Sequence, residues 1–340
     1  MAQKTNRQIL LAARPVGMVK ESDFKRHETA IPEPKDGEFL VRTIYLSLDP
    51  TNRGWMNAQD TYMPAIKIGE VVRGVGLGVV EQSKNPAYKP GDIVFGMVGW
   101  QDYHLGRAGD PMAMMVLPPG APLVPSLSVF GATGLTAYFG LLDIGQPKAG
   151  ETVVVSGAAG ATGSVAGQIA KIKGCRAIGI AGSAEKCRWV TEDLGFDACI
   201  DYKRENVGQR LGETCPGGID VYFDNVGGEI LDTVLEQIKQ NARIVLCGAI
   251  SMYNAVELPP GPKNYMNLII KRARMEGFIV TDFLPRFPEG IMQLMQWVGE
   301  GKVKHAEDIV DGLENAPAAL NRLFTGANKG KLIVRVSAER

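Results

Sequence analysis

The first 174 residues contain no cysteine, and the whole chain of 340 has only three histidines, His27, His104 and His305, set far apart. A structural zinc site needs four closely spaced ligands, and a catalytic one needs Cys and His together. Glu70 follows Gly69 in "KIGEVV" with no histidine beside it. Zinc chemistry is therefore not expected, and His104 in "GWQDYH" reads as a surface histidine with a possible acid role. The five cysteines, Cys175, Cys187, Cys199, Cys215 and Cys247, are odd in number and irregular in spacing. That usage fits packed, reduced thiols in a reducing compartment.

Long apolar runs are also missing. No stretch approaches the roughly 20 residues of a membrane span. The apolar run ahead of Arg14 is only "ILLAA", shorter than a secretory signal requires, so a cytoplasmic chain is expected. Neither charge sign is in excess: Lys+Arg and Asp+Glu are both 37. A broad nucleic-acid or anionic-membrane surface is not expected from such a balance.

The length implies about two domains. Up to about residue 125, short apolar runs such as "FLVRTIYLSL", "GEVVRGVGLGVVEQ" and "GDIVFGMVGW" alternate with turn signals such as "KPGD". They predict a β-rich barrel or sandwich. From about residue 126 the texture becomes helical, and after Gly150 strands and helices alternate. "TVVVSG", "RAIGIAG", "ACIDY", "DVYFDNVGG", "ARIVLCGAI" and "MEGFIV" read as strands. "SVAGQIAKIKG", "AEKCRWVTEDLG", "ILDTVLEQIKQ" and "GIMQLMQWVGEGK" read as helices, and "LPPGP" as a loop. The alternation predicts βαβ units and a parallel sheet. The final "KLIVRV" has the texture of the N-terminal part and is expected to complete it. The predicted boundaries are 1–125, completed by about 310–340, and 126–309.

One turn carries chemistry. Gly157-Ala-Ala-Gly160-Ala-Thr-Gly163 follows the strand "TVVVSG" and opens a helix. Glycine or alanine here lets backbone approach a pyrophosphate, and the helix N-terminus offers free N–H groups and the positive end of its dipole. Ala159 stands where a second fingerprint glycine is usual, but the strand-turn-helix context is the one that gives such a motif meaning. No GxxxxGK[ST] is present, so a nucleoside triphosphate loop is excluded. At the end of the next strand, Ala181, Gly182 and Ser183 place no acid where an NAD site holds the ribose 2′-hydroxyl. Ser183 and Lys186 can serve a 2′-phosphate instead, with Glu185 turned away by the helix. NADPH is the expected cofactor. Asn225, at a strand's C-terminal end in "DNVGG", lies where ligands of open α/β sheets gather.

With these pieces in hand, the chain resembles the zinc-free branch of the medium-chain dehydrogenase/reductase superfamily, in its leukotriene B4 12-hydroxydehydrogenase/prostaglandin reductase group. "LSLDP", "GLTAYFGLLDIGQPKAGETVVVSGAAGATG", "LGFDACIDY", "YFDNVGGE", "CGAISMYN", "RMEGF" and "GLENAPAAL" carry the likeness. It implies a GroES-like β-rich catalytic domain plus a Rossmann doubly wound α/β domain, with the active site in the cleft between them. It also implies cofactor contacts: Gly160, Ala161, Thr162 and Gly163 at the pyrophosphate, Lys186 and Tyr202 at the 2′-phosphate, and Asn225. Cys247, Gly248, Ala249, Ile250, Ser251 and Tyr253 would line the nicotinamide, with Phe278, Ile279 and Val280 beside it and Asn328 closing over it. After "LSxDP" the group's curcumin and plant enzymes carry Tyr-Met-Arg, where this chain has Thr51-Asn52-Arg53. Asn52 is an expected substrate contact, with Tyr62 in "DTYMPAI" as the nearest replacement for the lost phenol.

The implied reaction is NADPH-dependent reduction of the C=C bond of an α,β-unsaturated ketone or aldehyde. Hydride goes to the β-carbon, and hydrogen bonds stabilise the enolate. Tyr253, a phenol on a loop at a strand end, is the expected donor. A quinone reductase and a non-catalytic NADPH-binding protein are the alternatives. A homodimer through the Rossmann edge strand is expected by analogy.

Overall fold

The computed structural model describes residues 5–107, 114–257 and 259–339. Residues 1–4 of the N-terminal reading and Leu258 of "LPPGP" lie outside them. The described chain divides into two compact units.

The unit made of Ser128–Glu307 and Asn328–Lys331 is built on six strands. They are β1 (Thr152–Ser156), β2 (Arg176–Ala181), β3 (Ala198–Asp201), β4 (Ile219–Asp224), β5 (Ile238–Leu246) and β6 (Arg274–Gly277). All pairings are parallel, in the order β3-β2-β1-β4-β5-β6. A strand covered on both faces reads as a near-continuous apolar run; Val153, Val154 and Val155 form one in β1, and every residue of the strand is buried. Its side chains alternate. Val153 and Val155 join Val165, Ile169, Phe139 and Trp297 on one face. Val154 joins Ile178, Tyr222, Ile244 and Leu235 on the other. Strand order reverses between β1 and β4, so the loops after these two strands leave the sheet side by side, and such a switch point opens a crevice for ligands.

Helix α1 (Ala161–Ile172) follows β1 and packs closely. A Cβ on Gly163 would stand 2.3 Å from the Gly157 carbonyl oxygen, and one on Gly167 would meet the Phe196 ring at 1.8 Å. Two expected helices differ from their reading. "ILDTVLEQIKQ" is helical only over Gly228–Glu236. Ile238 pairs with Ile219 and already belongs to β5, because its buried side chain completes the apolar face under β4. After β2 the chain is α-helical over Ala184–Arg188 and then widens into a π-turn over Trp189–Asp193.

The other unit takes the described residues up to Leu127, Asp308–Ala327 and those from Leu332 onward. Its main sheet orders the strands Glu307–Asp311, Lys331–Arg335, Glu38–Ser47, Val75–Ser83, Ile93–Met97 and Met115–Val116, with Tyr103–Arg107 also paired to Glu38–Ser47. The closing strand runs antiparallel to the long central one, Ile333 opposite Ser47. Trp100, Phe39, Leu46 and Met56 fill the core.

Alanine is a better helix former than glycine by about 1 kcal/mol, yet Gly167→Ala is expected to destabilise the protein. Its methyl overlaps the Phe196 ring, and overpacking costs about 1–3 kcal/mol. Thermal denaturation should show a lower midpoint; a raised one would mean that Phe196 moves aside freely.

Candidate functional site

The two loops at the switch point are fastened by a buried carboxylate. Asp224, at the end of β4, is fully buried. Its Oδ1 accepts from the Tyr222 hydroxyl at 2.8 Å, the Ser156 hydroxyl at 3.0 Å, and the Val226 and Gly227 N–H groups at 2.9 Å each. Oδ2 has no hydrogen-bond partner among the described residues. Burial pushes the Asp224 carboxyl above the usual range, against the pull of these donors. Its backbone carbonyl accepts from the N–H groups of Cys247 and Gly248. Asn225 completes the knot: its N–H donates to Ser156 Oγ at 2.9 Å and its Nδ2 to the Ser156 carbonyl at 2.7 Å. Asp224 was not among the residues expected to matter. The signal was a lone acid ending the apolar run "VYFD".

The glycine-rich turn sits beside this knot. Gly160 caps α1 with no side chain of its own, and the first N–H donor into the helix is that of Ser164. The preceding N–H groups of Ala161, Thr162 and Gly163 are the open end of the helix. The turn therefore has the shape and the polarity that a diphosphate requires. Asn328 is brought to the same place. It is 7% exposed, and its Nδ2 donates to the Gly330 carbonyl at 3.0 Å. Gly330 in turn donates to the Ala159 carbonyl at 3.0 Å and pairs with Gly160.

At the end of β2, Ser183 Oγ accepts from the Lys186 N–H at 3.2 Å and caps the next helix. Tyr202 follows β3 and its ring lies over Gly182, where a Cβ would stand 3.0 Å from Tyr202 Cε1. Ser183, Lys186 and Tyr202 thus share one corner. Ala181, Gly182 and Ser183 place no carboxylate there, and Glu185 is exposed. This corner fits a 2′-phosphate.

Beyond β5, the loop Cys247–Tyr253 folds back on itself. The Ala249 N–H donates to the Tyr253 hydroxyl oxygen at 3.2 Å, and Ser251 Oγ donates to the Val226 carbonyl at 2.6 Å. The Tyr253 oxygen is thereby fixed over the loop backbone. Burial pushes the Cys247 thiol up to about 12. Phe278, Ile279 and Val280 are all half-buried. The Phe278 ring packs against Gly140 and, edge to face at 6.3 Å, against Phe283.

In the β-rich unit, Asn52 is buried and offers no side-chain surface for a substrate. It is 1% exposed. Its Oδ1 accepts from the Asp49 N–H at 2.8 Å and its Nδ2 donates to the Arg73 carbonyl at 3.2 Å. Asn52 therefore holds the loop, and the expected contact is corrected on that ground. Tyr62 is 52% exposed. Its hydroxyl is 2.5 Å from Thr51 Oγ1, and its ring meets Trp55 edge to face. His104 is half-buried, its Nδ1 3.4 Å from Gln101 Nε2. His305 Nδ1 lies 2.6 Å from Glu307 Oε1. Among the described residues, no three His, Cys, Asp or Glu side chains group as metal ligands.

Residues 7–114 match the family described as the N-terminal domain of oxidoreductase, and residues 161–297 the one described as zinc-binding dehydrogenase. The chain is 45% identical to the NADPH-dependent curcumin reductase of Escherichia coli (strain K12), over 99% of each protein. It is 39% identical to the NADP(+)-dependent 2-alkenal reductase of Nicotiana tabacum, over 98% of each. The crystal structure of CurA from Vibrio vulnificus in complex with NADPH superposes with a TM-score of 0.92 at 44% identity, covering 98% of this chain and 99% of that one.

Asp224→Ala strands two hydroxyls and two N–H groups. At about 1 kcal/mol or more for each stranded group, a loss of about 4 kcal/mol or more is expected, with weaker dinucleotide binding. Denaturant unfolding and a binding titration would check both; wild-type values in each would show that the knot is dispensable.

Proposed function

The chain belongs to the zinc-independent branch of the medium-chain dehydrogenase/reductase family, and from that premise we propose that it is an NADPH-dependent reductase of the C=C bond of α,β-unsaturated ketones and aldehydes. The observation that carries the cofactor half is the corner of Ser183, Lys186 and Tyr202 beside an acid-free strand end. The reaction half rests on relatives named for curcumin and 2-alkenal reduction that align along nearly the whole chain.

In this reading the parallel-sheet unit is the NADPH-binding domain and the β-rich unit the catalytic one. Gly160 to Gly163 receive the pyrophosphate, and Ser183, Lys186 and Tyr202 the 2′-phosphate. Asn225, Cys247 to Ser251, Ile279, Val280, the Phe278 backbone and Asn328 surround the nicotinamide half. NADPH, when bound, supplies the hydride. The protein's part is to orient the substrate and to meet the negative charge that grows on its carbonyl oxygen. Tyr253 is suited to that role because its oxygen already accepts the Ala249 N–H, a contact that orients the phenol and strengthens it as a donor. Tyr62, tied to Thr51, offers a phenol for substrate recognition from the loop beside the altered triplet.

Two features of the surroundings extend the proposal. Tyr265, Met266, Ile269 and Ile270 are exposed on the segment just before edge strand β6, which supports a homodimer through that edge. All five cysteines are free thiols, which supports a cytoplasmic setting.

The test follows NADPH absorbance with a medium-chain 2-alkenal, an aryl enone, a quinone and a simple ketone. Consumption with the enones, giving saturated carbonyls, is expected; consumption with the quinone alone would overturn the reading. Lys186→Ala should weaken NADPH at least tenfold more than NADH, as expected for a lost charge-assisted contact; equal effects would remove Lys186 from the 2′-phosphate. Tyr253→Phe should lower turnover by about 10²-fold while NADPH affinity stays within a few-fold; unchanged turnover would remove the phenol from the reaction.

A further inference from the structure

We propose that Lys329 is a phosphate-binding residue of the dinucleotide site, reaching from the glycine-rich turn toward the helix that carries Lys186. The inference rests on the NADPH reading above and adds a cation that neither the glycine motif nor the strand-end residues indicate.

Lys329 lies between two anchors. Asn328 is buried and bonded to the Gly330 carbonyl. Gly330 donates to the Ala159 carbonyl at 3.0 Å and pairs with Gly160. The backbone of residue 329 is therefore fixed beside the turn that opens α1, while its side chain is exposed. That side chain has a direction: Nζ lies 5.4 Å from the centroid of the Trp189 ring. Trp189 comes three residues after Lys186 in the same continuous helical run, about one turn along it. The lysine stem thus runs from the glycine-rich turn to the helical run that begins at the Ser183 cap.

Trp189 is half-buried against the core; a cation over one face of such a ring is held modestly, and an ammonium on a flexible stem exchanges the contact for a phosphate oxygen. The dinucleotide brings two anionic groups, the pyrophosphate and the 2′-phosphate. The α1 N-terminus offers partial positive charge to the first and Lys186 a full charge to the second. Lys329 stands where it can serve either. Trp189 acts as a rest that keeps the ammonium near the site in the absence of ligand and limits the rotamer entropy lost on binding.

The test is binding, without substrate. Wild type, Lys329→Met and Lys329→Arg are titrated with NADPH and with NADH by fluorescence at low and moderate salt. The methionine variant keeps the stem at an exposed position, so its thermal midpoint should match wild type. Its NADPH dissociation constant should rise about five- to tenfold, the range of a charge-assisted contact in partial solvent. Its salt dependence should become shallower, and arginine should restore affinity to within about twofold. An equal loss with NADH assigns the contact to the pyrophosphate, and a loss confined to NADPH assigns it to the 2′-phosphate. If wild type binds NADPH and Lys329→Met binds it equally well, the proposal is overturned while the NADPH reading stands. A wild-type chain that binds neither dinucleotide overturns that reading, and this assignment with it.

Discussion

Four hydrogen bonds converge on one oxygen of Asp224, and the dinucleotide unit is organised around that point. A carboxylate taken wholly out of water is costly unless its environment replaces the lost hydration. Here the replacement comes from the ends of β1 and β4 and from the loop after β4. Because the donors belong to separate elements, satisfying the acid fixes those elements relative to one another. The loop after β5 is held by the same residue through its backbone carbonyl. The crevice at the switch point is thus set before any ligand arrives, and preorganisation of this kind lowers the cost of binding.

The parallel sheet was legible in the sequence because its determinants are local. β1 is a β-branched run, and the helices between strands are amphipathic or capped by recognisable residues such as Ser183. The glycine turn and the acid-free end of β2 were readable for the same reason. What was not readable depends on partners distant in sequence. Helix 228–236 ends early because Ile238 is drawn into register with Ile219. Asn52 looked like a pocket residue until its amide was seen to join Asp49 to Arg73. Asp224 is a single letter whose weight comes from Ser156, 68 residues away. The cation of Lys329 acquires meaning only when Gly330 is found paired with Gly160.

The triplet Thr51-Asn52-Arg53 is tied to its surroundings at each residue. Thr51 is too short to present a phenol, yet its hydroxyl engages that of Tyr62 eleven residues on. Arg53 keeps the segment in place from below: it is 2% exposed and donates to the carbonyls of Pro15 and Gly17 and to Asn57 Oδ1. The segment is thus bonded at its base through Arg53, while Tyr62 stays exposed.

The burial of Cys247 bears on chemical self-protection. Conjugated carbonyls are electrophiles that alkylate thiolates, and the thiolate is the reactive form. A thiol pushed up to about 12 is held as the protonated form at neutral pH. Cys175, pushed up to about 11, is almost as inert. A reductase of such compounds meets the electrophile at high local concentration in every turnover. Keeping the Cys247 sulfur protonated makes that thiol a poor target for such compounds.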